Sequence, residues 1–259
     1  MKRAFLSVIL AIFLLFPTAI SAENPALVQS VRKAVGLLYS QDESGSLKMR
    51  CTATAFEKTG KGYKFVSAAH CIGDDDTNKE RSASGIDIPF YITFDETDGA
   101  KRYHQAKVIW VGYQHRGEDF AVFEVATKET WATVPLGDEK EETEGAQILN
   151  VASPLGLGKQ VFYGTITSLN LDRPIVDGRG INWKGALLLN ISAGPGSSGS
   201  ALVSVEHQNI IGFLVGTIGG ENIVGIPVNR FKAVDKAVKD DKYSYWKPVN
   251  LNPDGTPQE

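Results

Sequence analysis

The chain has 259 residues, of which 42% are hydrophobic and 22% are charged. This composition provides enough apolar material for a folded core, so the chain need not be disordered. The formal net charge is −3 at pH 7. The Lys and Arg residues form no basic stripe or cluster, so nucleic acid is not an expected partner.

The N-terminus has the pattern of a secretory signal peptide, which we assign to residues 1–22. Two cationic residues precede an apolar run at residues 4–16, and small residues follow it. Either Ser21 or Ala22 is the last residue removed. An N-terminal membrane anchor is the alternative, but about 13 apolar residues fall short of the ~20 that span a bilayer. We therefore expect a secreted or periplasmic protein that leaves the membrane once the signal is cleaved.

The first half of the mature chain predicts six strands, which are enough to close a β-barrel. Residues 23–30 resemble an entry segment. Residues 31–40 fit a short helix or a strand, and we favour a strand from Val35. The predicted strands are 35–40, 49–57, 63–67, 86–94, 102–113 and 119–125. This first barrel is assigned to residues 23–130.

The second half repeats this plan after an acidic segment. Residues 131–146 are assigned as a linker between barrels, and the Asp and Glu residues within 138–144 are expected to form a solvated face. Six further strands are predicted at residues 147–152, 160–170, 185–191, 200–205, 209–217 and 223–228. The second barrel is therefore assigned to residues 147–230.

The C-terminal segment, residues 231–259, is predicted to form a helix followed by a polar tail. Phe231, Val234 and Val238 recur at i, i+3 and i+7, which is the spacing of one helix face. The expected fold class is therefore all-β, with two six-stranded antiparallel β-barrels and a short C-terminal helix.

Three short runs contain residues suited to acyl-transfer chemistry. His70 follows small residues at the end of a predicted strand, and Asp119 begins another. Ser198 lies in a loop of Gly, Ser and Pro residues directly before a buried strand. By itself this loop fits an ordinary hairpin equally well. The three runs together indicate a His, Asp and Ser constellation.

Each residue type has a defined role in such a site. A serine hydroxyl attacks the carbonyl carbon, a histidine accepts its proton, and an aspartate orients the histidine. The resulting oxyanion needs backbone N–H donors that already point towards it. The turn at residues 196–198 can supply two, from Gly196 and Ser198.

The three runs resemble the chymotrypsin-like serine peptidases, in which a small-small-His-Cys segment, an Asp segment and a Gly-x-Ser-Gly loop occur in this order. Asp119 lies 49 residues after His70, and Ser198 a further 79 residues on. The resemblance covers roughly residues 30–232. It implies a serine endopeptidase with His70, Asp119 and Ser198 between two barrels, a polypeptide substrate, and neither metal nor cofactor.

Two branches of this family share further features with the chain. The Pro-Leu-Gly turn at residues 154–156, followed by a strand containing Gly164, resembles the bacterial HtrA type, although we expect no PDZ domain. The Gly-x-Ser-Gly-Ser ending resembles the glutamyl endopeptidases, but Leu214 replaces their pocket histidine. Digestive members have an aspartate at the position of Ser197, so activation by N-terminal cleavage is not expected. We then expect the peptidase to be active once it is exported, or its activity to be controlled by the ordering of a loop.

The resemblance also implies a disulfide between Cys51 and Cys71. Such a bridge suits an exported protein. Cys71 as the nucleophile for His70 is disfavoured, because neighbouring side chains of a strand point to opposite faces. A zinc site is improbable too, since the four histidines show no paired ligand spacing.

Alignment with the family places five residues around the substrate pocket. Ser192 is at the floor, and Val215, Gly216, Thr217 and Gly225 form the walls. No acidic residue lies at the pocket floor to attract a Lys or Arg side chain of the substrate, and Thr217 is expected to narrow the pocket. A small or medium apolar side chain is therefore the expected preference at the residue before the cleaved bond.

Two other functions remain open at this level. One is a binding protein on the same fold that has lost activity, and the other is an esterase or acyl hydrolase with the same three residues. The intact residues favour a peptidase. The sequence does not determine the oligomeric state.

Overall fold

The computed structural model describes residues 24–42, 44–72, 89–95, 101–114, 117–172, 183–218 and 222–240. The predicted signal peptide and most of the polar tail lie outside these ranges. Neither α-helix of the described part is long and apolar enough to cross a bilayer.

The first six strands close an antiparallel barrel in the order β1-β2-β3-β6-β5-β4. They are β1 (Val35–Gln41), β2 (Leu47–Lys58), β3 (Gly62–Ser67), β4 (Phe90–Thr93), β5 (His104–Val111) and β6 (Ala121–Ala126). Each lies within or next to its predicted range, and the first residues of the predicted fourth strand, 86–88, lie outside the described part.

The second six strands close a second antiparallel barrel in the order β10-β11-β12-β9-β8-β7. They are β7 (Gln147–Ala152), β8 (Gln160–Ser168), β9 (Leu187–Asn190), β10 (Ala201–Ser204), β11 (Ile210–Ile218) and β12 (Asn222–Pro227). The predicted fold class, all-β with two six-stranded barrels, is confirmed.

A helix, α1 (Pro25–Ala34), precedes the first barrel, where the sequence predicted an entry segment at residues 23–30 and left a short helix or a strand open from residue 31. The Asn24 side chain accepts a hydrogen bond from the Leu27 N–H at 3.0 Å, and proline occupies the first turn. Both features favour the start of a helix. Leu27, Val31 and Ala34 are buried on one face, so packing stabilises this short helix. The prediction of a strand from Val35 is confirmed.

The closing helix, α2 (Val228–Lys239), begins three residues before the predicted start. Its Phe231 is fully buried at the junction of the two barrels. Four aromatic rings lie with centroids 5.2–5.7 Å from the Phe231 ring: Phe56, Trp110, Phe120 and Phe213. Three of these rings belong to the first barrel and the fourth to β11 of the second barrel, so Phe231 packs against both barrels.

Part of the acidic linker, residues 131–146, is buried and contacts the closing helix rather than facing solvent. Glu139 and Glu142 are buried, and Glu139 Oε2 accepts the backbone N–H of Asn229 in the first turn of α2 at 2.9 Å. Asp138 accepts the Asn229 side-chain amide. The Lys140 N–H, followed by that amide, holds the pKa of Asp138 below its usual value. Carboxylates at a helix N-terminus are favourable, and here they fix the start of α2.

The disulfide implied by the resemblance is present between Cys51 and Cys71. It joins β2 to a 3₁₀ turn (Ala69–Cys71) that follows β3. The two cysteines are separated by 20 residues, and a loop of this length corresponds to about 3 kcal/mol of stabilisation in the chain-entropy account. The bridge therefore restrains the segment that carries His70.

Replacing Phe231 with alanine is expected to destabilise the protein by about 3–5 kcal/mol, because a fully buried ring shared by both barrels leaves a cavity. Denaturant unfolding measures this change. Tyr163→Ala is the control, since the Tyr163 ring is 38% exposed on β8. A similar decrease in the free energy of unfolding for the two variants would contradict the role assigned to Phe231.

Candidate active site

His70 lies in the 3₁₀ turn after β3, and Asp119 lies two residues before β6, which pairs with β3. Asp119 Oδ2 is 2.7 Å from His70 Nδ1, and Oδ1 accepts the His70 backbone N–H at 2.9 Å. The carboxylate thus holds both the ring and the backbone of His70. With the hydrogen of the neutral imidazole on Nδ1, Nε2 is the acceptor.

The Asp119 carboxylate is fully buried. Burying a carboxylate is costly unless hydrogen bonds compensate it. Besides the two contacts to His70, the buried Gln114 side chain donates to Oδ2 at 3.3 Å. Gln114 was not predicted as a site residue, and its contribution is to satisfy and fix the aspartate.

Arg230 of α2 ties the segment before Asp119 to the second barrel half. Its guanidinium donates to the Gly117 carbonyl at 3.0 Å and to the Lys184 carbonyl at 2.7 Å. Burial lowers the pKa of Arg230 below its usual value. The closing helix therefore contributes to positioning the aspartate as well as to packing.

The Ser198 loop is closed by its own hydrogen bonds. The Ser197 N–H donates to the Gly194 carbonyl at 2.9 Å, and the Gly194 N–H donates to Ser197 Oγ at 3.3 Å. Ser197, which replaces the aspartate of the digestive enzymes, is fully buried. Its hydroxyl is part of the turn that presents Ser198.

Neighbouring groups also fix the two peptide units that carry the predicted oxyanion donors. The Pro195 carbonyl accepts the Leu155 N–H at 2.6 Å, and the Ser197 carbonyl accepts Ser200 Oγ at 2.7 Å. In a trans peptide the N–H points away from the preceding carbonyl. Among the described residues, no acceptor is bound to the N–H of Gly196 or Ser198. Both are therefore oriented and available.

His70 and Ser198 line one cavity of about 430 Å³. Its other lining residues are Ala193, Gly194, Pro195, Leu214, Val215, Gly216 and Thr217. The predicted wall residues 215–217 therefore lie beside the candidate nucleophile. Ser192, predicted as the floor, is exposed and does not line this cavity. Gly225 is packed inside the barrel, where a Cβ would lie 2.5 Å from Leu202 Cδ1.

One group of three possible metal ligands occurs in the described part of the chain: Cys51, His70 and Cys71, with ligand atoms within 4.8 Å of one another. Both cysteine sulfurs are bonded in the disulfide. They are not thiolates, which are the form that binds zinc, so this group does not provide a zinc ligand set.

A model of the trypsin-like peptidase domain matches residues 51–213, which is more than half of the chain. The chain therefore belongs to the trypsin-like peptidase family and is a serine peptidase of the chymotrypsin fold. A comparison with curated protein sequences found no match.

Two solved structures resemble the chain in fold. Deg5 has a TM-score of 0.63 and 17% identity, with 83% of this chain and 93% of Deg5 covered. The HtrA-type protease AlgW, solved with a tripeptide, has a TM-score of 0.62 and 19% identity, with 84% of this chain and 64% of AlgW covered. At these identities the likeness shows the fold alone, and this fold is the two-barrel fold that the sequence predicted.

Residues 51–56 of β2 are buried on both faces, and sequence analysis did not predict that Thr52 contacts the Ser198 loop or that Thr54 contacts the strand after it. The Thr52 N–H donates to the Ser198 carbonyl at 3.1 Å. The Ala201 N–H, just after the Ser198 loop, donates to Thr54 Oγ1 at 3.2 Å. The only sequence signal was the alternation of threonine with small residues in a strand, which is compatible with a polar buried face.

Gly199→Ala is expected to slow reaction of the protein with a fluorophosphonate probe by about a hundredfold, because misplacing reacting groups by about 1 Å can cost this much. Gly199 has φ +81°, and a Cβ would lie 2.4 Å from Ser67 Oγ and 2.5 Å from the Ala68 nitrogen. The added methyl group therefore pushes the Ser198 loop away from the strand that precedes His70.

Gly60→Ala provides the control, because a Cβ there meets nothing within 4 Å. Labelling rate constants are compared under identical conditions. A wild-type rate for Gly199→Ala would show that close approach of this glycine is not required.

Proposed function

We propose that the protein is an exported serine endopeptidase that hydrolyses peptide bonds through an acyl-enzyme on Ser198. The observation that carries the proposal is the 2.7 Å contact between His70 Nδ1 and the buried Asp119, at a cavity that Ser198 also lines. These are the groups that nucleophilic acyl transfer requires, and they come from two different barrels.

In this mechanism, Ser198 Oγ attacks the carbonyl carbon while His70 Nε2 accepts its proton. The tetrahedral oxyanion accepts hydrogen bonds from the N–H groups of Gly196 and Ser198, and Asp119 stabilises the imidazolium. His70 then donates the proton to the leaving amine. A water molecule, activated by His70, hydrolyses the acyl-enzyme and regenerates the Ser198 hydroxyl.

We assign a small or medium apolar side chain to the residue before the cleaved bond. Apart from His70, the described residues that line the cavity are small, apolar or uncharged. A Lys, Arg or Glu side chain would lose hydration there without gaining a counter-charge. Thr217 also has more side-chain volume than the glycine that many family members have at this position.

Export is supported by the signal-peptide pattern at residues 1–22 and by the disulfide, because such bonds persist in oxidising compartments. We therefore place the mature protein in the periplasm or outside the cell.

Ser198→Ala is expected to abolish both fluorophosphonate labelling and peptide turnover, because it removes the nucleophile. Asp119→Asn is expected to lower kcat by about 10⁴, since the imidazole is then held in the wrong tautomer. Labelling and peptide hydrolysis are measured on protein recovered from the periplasm or medium.

Labelling that survives Ser198→Ala would contradict catalysis through this residue. Recovery only from the cytoplasm, with Met1 retained, would contradict export. Ester hydrolysis with no cleavage of any peptide would indicate an acyl hydrolase instead.

A cleavage profile on a mixed peptide library is expected to show Ala, Val or similar residues before the cleaved bond. Mass spectrometry of the products identifies the sites. The Ser198→Ala variant, digested in parallel, identifies cleavage by contaminants. Cleavage mainly after Glu or Arg would contradict the apolar assignment of the cavity.

A further inference from the structure

Thr52 of β2 contacts the Ser198 loop through both its backbone and its side chain. The Thr52 N–H donates to the Ser198 carbonyl at 3.1 Å, and Oγ1 donates to the Gly196 carbonyl at 2.8 Å. The same Oγ1 accepts the Ser153 N–H at 3.0 Å. Thr52 is fully buried, so its own hydroxyl and N–H are shielded from water.

The hydroxyl of Thr52 is used both as a donor and as an acceptor. A threonine hydroxyl has one hydrogen and two lone pairs, and here the hydrogen holds Gly196 while a lone pair holds Ser153. Removing the hydroxyl leaves the half-buried Gly196 carbonyl and the buried Ser153 N–H without this partner, which is unfavourable. The loop and the turn at Ser153 would then be free to shift.

The turn that begins at Ser153 is the same turn that orients one oxyanion donor. Two residues further on, the Leu155 N–H holds the Pro195 carbonyl and thereby directs the Gly196 N–H. Thr52 therefore acts on Gly196 by two routes, directly at its carbonyl and indirectly through Ser153 and Leu155.

Thr52 is also tied to the strand that leads to His70. Its carbonyl accepts the Ser67 hydroxyl at 2.8 Å, and Ser67 is the last residue of β3. A single buried residue thus connects the histidine segment of the first barrel with the nucleophile loop of the second.

We propose that the Thr52 hydroxyl is a positioning group that sets the oxyanion donors of the Ser198 loop relative to His70. This inference rests on the proposed peptidase function. The competing interpretation is that Thr52 merely holds the barrels together. Thr54 is the matched comparison, because it is equally buried on the same strand and face, and its hydroxyl accepts the Ala201 N–H beyond the loop.

Thr52→Val, Thr52→Ser and Thr54→Val separate these interpretations. Thr52→Val is expected to lower kcat by about tenfold to a hundredfold with little change in KM, because a misplaced oxyanion donor costs stabilisation only in the transition state. The affinity for a peptide aldehyde, which forms a tetrahedral adduct, should fall by a similar factor. Thr52→Ser keeps the hydroxyl and should restore kcat to within about threefold of wild type.

Thr54→Val should lower the Tm but leave kcat within about threefold of the wild-type value, because the partner of the Thr54 hydroxyl lies outside the Ser198 loop. All rates are expressed per folded, titrated active site, below the Tm of every variant. If Thr52→Val does not fold, Thr52→Ala replaces it, and failure of both to fold would favour the purely structural role.

Three other results would overturn the proposal: near wild-type kcat in Thr52→Val, no rescue by serine, or an equal fall in Thr54→Val. An inactive wild type would overturn the proposed function itself, and this inference with it. If the wild type is active and Thr52→Val has the wild-type kcat, the inference alone is overturned and the proposed function stands.

Discussion

The site depends on the hydrogen bonds that join β2 of the first barrel to the Ser198 loop of the second. His70 and Asp119 come from one barrel and Ser198 from the other, so their alignment is set at the interface between barrels. The aromatic cluster around Phe231 holds the two halves together, but apolar packing is non-directional. Hydrogen bonds from the buried Thr52 have defined lengths and directions, and therefore fix the register of the interface.

This arrangement explains why a buried strand carries threonines where the barrel interior would accept valines. A buried hydroxyl is costly unless its hydrogen bonds are made. Thr52 has a partner in the Ser198 loop and Thr54 has one in β10, so the cost is compensated only when the two barrels are docked correctly. The polar face of β2 thereby favours one arrangement of the two barrels over others with similar apolar burial, at the position where catalysis needs a defined geometry.

Much of the architecture was predictable, because strand alternation and turn residues are local signals. The strands and the His, Asp and Ser segments follow from such signals, and the disulfide followed from the family resemblance. The early start of α1 was missed because its stability comes from burial of Leu27 and Val31, which are not distinctive in sequence. Ser192 and Gly225 were placed around the pocket by alignment with the family, and neither lines the cavity at Ser198. The contacts of Thr52 could not be predicted, because Gly196 is 144 residues away in the chain.

The replacement of the usual aspartate by Ser197 has a physical consequence for how the oxyanion site forms. In this chain the Pro195 and Ser197 carbonyls are held by Leu155 and Ser200, so contacts within the described part of the chain orient both peptide units. Ser197 is hydrogen-bonded within its own turn, and a buried aspartate there would need a cation to compensate it. Because Leu155 is 69% exposed and has φ +55°, one of these anchors comes from a strained surface turn. The direction of the Gly196 N–H in this structure therefore depends on the hydrogen bond from this turn to the Pro195 carbonyl.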